Sequence, residues 1–503
     1  MKIIKYKIVR HFLCLTILLL SKDCLPQGYN STWLLGYQAK NRMTFTDSSY
    51  LITPELRKIP FEDTQGNISD ENGNILMSSN GIFIANATGD TMQQGGGLNP
   101  NSYTDDWIQW GLPLLYANLF LPMPDDTNKY ILFHLTGNYN SPSLIMPTEI
   151  YYSIADMSYN GGLGKVISKN NIALTGIFGG SLAACKHGNG RDWWVIALSD
   201  SANYIYKFLI TPDTIQYVGS QFLNVQGYPG WMGQPTFSPD GIKFAYSHYD
   251  ISMGYYWQDI RLFDFDRCDG DFTFNSIAYL PDSVGGFGVA FSPNSQYLYA
   301  SSWKRIYQLD TYSANIPASM QLVATNDSFA SPSPPFYTDF WEMYLAANGK
   351  IYLTSGSGVV HLHEMDYPDS VGMACNVNLH NVFINNFNFR TVPNHPNYYL
   401  GRKIGSPCDT IPTGFEEKEH DFKFKIFPNP NNGNFKIMYL LPQNKAGKLE
   451  IFDINGRAVY SQNLPQWSTL QFISLPKLSN GIYAIKINSN NFSITKKLII
   501  HHE

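Results

Sequence analysis

From Trp33 to about Leu400, short apolar runs alternate with polar positions and stop at Gly, Asn, Asp or Pro. Lys129-Tyr130-Ile131-Leu132-Phe133-His134-Leu135 is one such run, and Asp192-Trp193-Trp194-Val195-Ile196-Ala197-Leu198 is another. Runs of this length, rich in β-branched and aromatic residues and bounded by turn residues, predict strands. No window of eleven residues holds clean helical spacing, so no helix is expected. The pattern repeats. Phe237-Ser238-Pro239-Asp240-Gly241-Ile242-Lys243-Phe244-Ala245-Tyr246 aligns with Phe291-Ser292-Pro293-Asn294-Ser295-Gln296-Tyr297-Leu298-Tyr299-Ala300, and Ala347-Asn348-Gly349-Lys350-Ile351-Tyr352-Leu353 follows at the same interval. Each copy is a tight turn that reverses the chain into a half-buried strand. Six such units are visible, near residues 75, 131, 195, 243, 297 and 351.

One four-stranded sheet cannot bury both its faces, whereas radial stacking of several can. The units therefore predict an all-β fold, a β-propeller over residues 28–410. About seven blades are expected, with N- and C-terminal strands sharing the closing blade. Beyond a short spacer at 411–423 the pattern changes. Residues 424–503 alternate apolar and polar positions and turn at Asn432-Gly433, Asn455-Gly456 and Asn480-Gly481, which predicts a small immunoglobulin-like sandwich.

Composition sharpens this reading. Aromatic residues make up 15% of the 503 residues and charged residues only 15%, so the surface is polar but sparsely ionic. The formal net charge is -5, with basic ends and an acidic middle. An acidic middle offers no basic face for phosphates, which argues against nucleic acid. Lys2, Lys5, Lys7 and Arg10 precede the short apolar run Phe12–Leu20, the arrangement of an export signal over residues 1–27. That run is too short to span a bilayer, no later stretch approaches 18 apolar residues, and no transmembrane span is expected in the mature chain.

Export into an oxidising compartment makes a disulfide among Cys185, Cys268, Cys375 and Cys408 plausible. Three connectivities are open; Cys375 with Cys408 is the first choice, because that bridge would tie the end of the large domain to its last strands.

Three strings near the end carry a resemblance. Phe427-Pro428-Asn429-Pro430 runs into Asn432-Gly433; Leu449–Arg457 contains Asp453 and Gly456; Leu478-Ser479-Asn480-Gly481-Ile482-Tyr483 leads to Lys496-Lys497. In this order they resemble the C-terminal sorting domain of the type IX secretion system of Bacteroidota-type bacteria. The resemblance implies sorting-motif residues Pro428, Asn429, Pro430, Gly433, Asp453, Gly456, Gly481, Tyr483 and Lys497. It also implies the type IX machinery as a partner, and a secreted or outer-membrane surface location reached through the periplasm. Within the large domain, Lys186–Trp194, Phe265–Gly270, His395–Gly401 and Gly405–Thr410 are similar to strings in exported WD40-like propellers with type IX tails, a family that brings no activity with it.

Candidate chemistry is sparse. Asp105-Asp106-Trp107 suits a sugar, but hydrolysis needs a second carboxylate and none is identifiable, so an ordinary polar loop is the better reading. His361-x-His363 lacks a third metal ligand. Asp264, Asp266, Asp269 and Asp271 lack a calcium loop and fit a turn at Gly270. Gly95-Gly96-Gly97 is not followed by the Lys-Ser/Thr of a phosphate loop. No cofactor, metal or catalytic residue is assigned. Trp107, Trp110, Trp193, Trp194, Trp231, Trp257, Trp303 and Trp341 could line a glycan surface, but blade cores use the same residues and are the favoured reading. The reading is a binding protein for a glycan or protein ligand. The alternative is a hydrolase or lyase acting on polysaccharide or peptide, which clustered carboxylates in the channel would favour.

Overall fold

The computed structural model describes residues 28–409 and 424–502 apart from short loop segments. Residues 1–27, where an export signal is expected, and the spacer expected over 411–423 lie outside the described residues. Among the described residues the strands gather into seven small antiparallel sheets, over 32–55, 66–96, 118–175, 178–222, 232–279, 289–325 and 343–388. The first has three strands and each of the others four; the second and third are joined by one parallel bridge, Gln93 to Lys165. First strands of successive sheets face one another. The ring closes where the Gly36 N–H meets Asn388 Oδ1 at 2.8 Å and where Trp33 packs edge-on against Tyr344 and Tyr352. The molecule's large unit is a seven-bladed propeller.

Six blades correspond to the repeats. Their shared turn forms because Ser238 and Asp240 bond each other through their side chains and the Ile242 N–H reaches Asp240 Oδ1 at 3.1 Å. Gly241 takes φ 72°, a conformation that a Cβ makes costly. The following strand then buries Phe244 and Tyr246 between blades. The first blade lacks this turn, which is why six units and not seven stand out in the sequence. One short helix, Ser102–Asp106, departs from the expectation of none; five residues capped by Asn101 are too few to show periodicity.

The closing blade also departs from expectation. Its three strands are all N-terminal, and the C-terminal segment joins no ladder. Residues 390–401 instead run down the inside of the ring. The Thr391 hydroxyl donates to the Asp63 carbonyl at 2.7 Å, Asn394 to Leu182 at 2.8 Å, and His395 Nε2 to Asn67 at 2.6 Å. Lower down, Asn397 donates to Pro239 at 2.7 Å and the Tyr398 hydroxyl to Phe120 at 2.9 Å. Asp63 and Asn67 lie before and within the first strand of blade two, Phe120 and Leu182 within those of blades three and four, and Pro239 in the turn after that of blade five. The segment is therefore a plug threaded from the face where those strands begin (the top) to the face where they end (the bottom).

Residues 425–500 form a separate two-sheet sandwich of three and four strands. Phe435, Ile437, Leu449, Ile451, Ile485, Ile487 and Leu498 fill the space between its sheets. This is the alternation expected of a half-buried strand, with the polar residues outward.

Candidate functional site

At the bottom face the plug is bolted. Cys408 pairs with Cys268, not with Cys375. Cys375 is a free, buried thiol in a short 3-10 turn of blade seven, and Cys185 is free and buried in the core between blades four and five. The physical reason is topological: the plug carries the chain away from blade seven and delivers residue 408 to the outer hairpin of blade five. Four strings singled out in the sequence meet there. Arg267 is fully buried and donates to the carbonyls of Lys186 (2.9 Å), His187 (3.1 Å) and Gly401 (2.5 Å). Trp194 Nε1 donates to the Arg267 carbonyl at 2.8 Å, and the Lys403 N–H to Gly188 at 2.6 Å. Burial pushes the Lys186 ammonium down to about 7; its Nζ lies 3.9 Å over the Trp193 ring. The Tyr29 N–H donates to the Tyr399 hydroxyl at 2.7 Å, so the start of the described chain meets the end of the plug.

The acidic cluster is the turn expected. The Gly270 N–H bonds the Asp266 carbonyl at 2.8 Å, and Asp264 and Asp271 pair with Lys243 and Lys207. His361 and His363 do not share a site. His363 is buried between the Asp339 carbonyl (3.2 Å from Nε2) and the His380 N–H (2.9 Å from Nδ1), while His361 lies near Ser331. Among the described residues no group of His, Cys, Asp and Glu is arranged to hold a metal. Asp106 accepts from the Tyr139 hydroxyl at 2.7 Å. Asp259, which reads in sequence as a strand-entry residue, is buried on that strand between His248 (3.2 Å) and Arg261 (2.7 Å).

At the neck of the channel lie two carboxyls. Asp63 makes a two-pronged pair with Arg390, at 3.0 and 2.6 Å, which fixes the start of the plug. Glu342 is fully buried; burial raises its carboxyl to about 8, and the Tyr344 hydroxyl donates to it at 2.6 Å. Both are buried, Asp63 against Arg390 of the plug.

The top face is open and aromatic. Tyr37 stacks on Trp110 at 5.8 Å and leans on Phe387 and Phe389 at 5.7 and 5.8 Å. Between blades six and seven, Trp303 meets Trp341 at 5.8 Å. Trp110 and Trp303 are 37% and 41% exposed, so both present a ring to solvent. By contrast Trp193 and Trp194 are blade core, and Trp231 lies outside the described residues.

In the small sandwich the three strings are turns and a terminal strand. Asn429 donates to the Lys497 carbonyl and accepts from the Ile499 N–H, both at 2.7 Å, clasping the last strand. Asp453 Oδ1 accepts from the N–H groups of Asn455 and Arg457, around Gly456 at φ 77°. The Tyr483 hydroxyl donates to the Ser479 carbonyl, and Lys497 is exposed. Residues 425–501 match the model of the secretion system C-terminal sorting domain. This unit is a type IX sorting domain. The sorting domain directs the chain to secretion or to attachment at the cell surface, and implies interaction with the type IX machinery. No helix of the described residues is long and apolar enough to cross a membrane.

No curated protein matches the chain. Among solved structures it is similar to a functionally unknown protein from Desulfotomaculum acetoxidans (10% identity, 89% of this chain, 100% of that one, TM-score 0.32). It is also similar to the extracellular domain of a protein named as a one component system from B. thetaiotaomicron (13% identity, 94% and 57%, TM-score 0.34). Likenesses at these scores carry no weight for the activity.

Proposed function

We propose that the chain is an exported, WD40-like propeller that binds an extracellular glycan or protein through its top face. Residues 1–27 serve as the export signal, and the sorting domain passes the protein through the type IX machinery to the outer-membrane surface or the medium. The observation that carries the binding reading is the asymmetry of the two faces. The bottom is locked by the plug, Arg267 and the disulfide, whereas the top exposes aromatic rings that are held by other rings behind them. Rigid, half-exposed aromatics offer contact area at little entropic cost.

The hydrolase or lyase alternative needs carboxylates that meet a substrate path. Asp63 is instead taken up by Arg390, and Glu342 is fully buried with one oxygen held by Tyr344, which favours binding. The test is a screen of the mature protein against glycan and extracellular-matrix arrays, repeated with Tyr37→Ala and Trp110→Ala. A ligand lost or weakened in a top-face variant supports the reading; ligands unaffected by every top-face substitution overturn it.

A further inference from the structure

The cluster between blades six and seven is more specific than the rest of the top face. Trp303 sits in the hairpin of blade six and is 41% exposed, while Trp341, in the connection to blade seven, is 8% exposed. Their planes meet at 39°, and Phe287 backs Trp341 at 4.5 Å. One indole is thus an anchored wall and the other a plate facing solvent. The Phe340 N–H ties the second loop to the first at the Trp303 carbonyl (3.1 Å), and the Trp341 N–H bonds the Thr354 carbonyl of blade seven at 2.9 Å.

A carboxyl lies beside them. Asp339 is half-buried and accepts the Gly356 N–H at 2.6 Å. Its other oxygen has no partner among the described residues. His363 holds the Asp339 backbone from behind. Gly356 is fixed by space: a Cβ there would lie 2.9 Å from Trp341 and 3.0 Å from Trp303 Nε1. Glycine therefore lets both indoles close around the loop that orients the carboxyl.

We propose that Trp303, Trp341 and Asp339 form a subsite for one pyranose ring of a neutral polysaccharide. The ring's C–H face lies on the exposed indole, and its hydroxyls donate to the unpartnered oxygen of Asp339, a charge-assisted bond. The chemistry selects among occupants. An anionic ligand meets the Asp339 carboxylate, and the neighbouring Arg305 is already taken by Asp282. An apolar peptide would leave the carboxylate desolvated and unpaired. A sugar satisfies both the ring and the carboxyl. This subsite rests on the top-face reading.

The test titrates the mature chain with gluco-, xylo-, manno- and galacto-hexaoses by calorimetry. At least one hexaose binds; Trp303→Ala weakens it tenfold or more, and Asp339→Asn fivefold or more. Trp303→Phe retains most of the affinity, which shows that loss in the alanine variant is not misfolding. No hexaose binding, or binding indifferent to both Trp303→Ala and Asp339→Asn, overturns the subsite. The broader reading fails separately: it survives a failed subsite if another ligand is lost on Tyr37→Ala or Trp110→Ala, and falls with it if no top-face substitution matters to any ligand.

Discussion

Glu342 and three histidines set opposite pH limits on the fold. Burial holds the Glu342 carboxyl at about 8 against an ordinary 4.5, so the folded state keeps a proton that the unfolded state releases. Its contribution is full below pH 4.5 and is lost as pH rises towards 8. At ~1.4 kcal/mol per pKa unit, that loss is on the order of 5 kcal/mol. Glu342→Gln should flatten thermal stability between pH 5 and 8; a parallel decline in wild type and variant would show that this carboxyl is not the cause. His134, His363 and His395 run the other way. Burial first lowers them to about 3, 4 and 4, so their contribution is present above pH 6.5 and lost as pH falls through that window. His134 is satisfied as a neutral ring between Asn99 (2.7 Å) and Ser153 (2.9 Å). Melting temperature should fall between pH 6.5 and 4, and His134→Gln should reduce the slope.

The plug and its bolt are the elements that sequence did not reveal. Pro-Asp-Gly turns were readable because the chemistry that makes them lies within four residues. The three-motif tail was readable for the same reason, since Asp453 and Gly456 close their own turn. The plug was not, because its side chains bond backbone carbonyls of blades two to five, and carbonyls leave no mark on composition. The Cys268–Cys408 pair was unreadable too: its partners are separated by 140 residues and meet only through ring closure. The top-face aromatics were visible as residues but not as a surface, since Trp303 and Trp194 look alike until burial separates them. Breaking the bridge with Cys268→Ser should cost about 5 kcal/mol by the loop-entropy account of so long a closure. The same variant should become sensitive to limited proteolysis within residues 389–409, read by mass spectrometry. An unchanged cleavage pattern would mean that the carbonyl contacts and Arg267 hold the plug unaided.

As a whole, the molecule divides its labour between a sealed propeller and a sorting domain with its own core. Deleting residues 424–503 should leave a folded propeller in the periplasm, followed by cell fractionation and circular dichroism. Delivery of that truncation to the cell surface would refute the division. The bolt has one further consequence, for mechanics. The covalent link at residue 408 lies between the plug and everything that follows it. Tension applied at the sorting domain passes through the sulfur bridge into the hairpin of blade five, and the plug carries none of it. Reduction reroutes the load onto the plug, whose hydrogen bonds would then break in succession. Pulled from its tail in reductant, the chain should pay out roughly 70 Å more before any blade opens, about 20 residues at ~3.4 Å each.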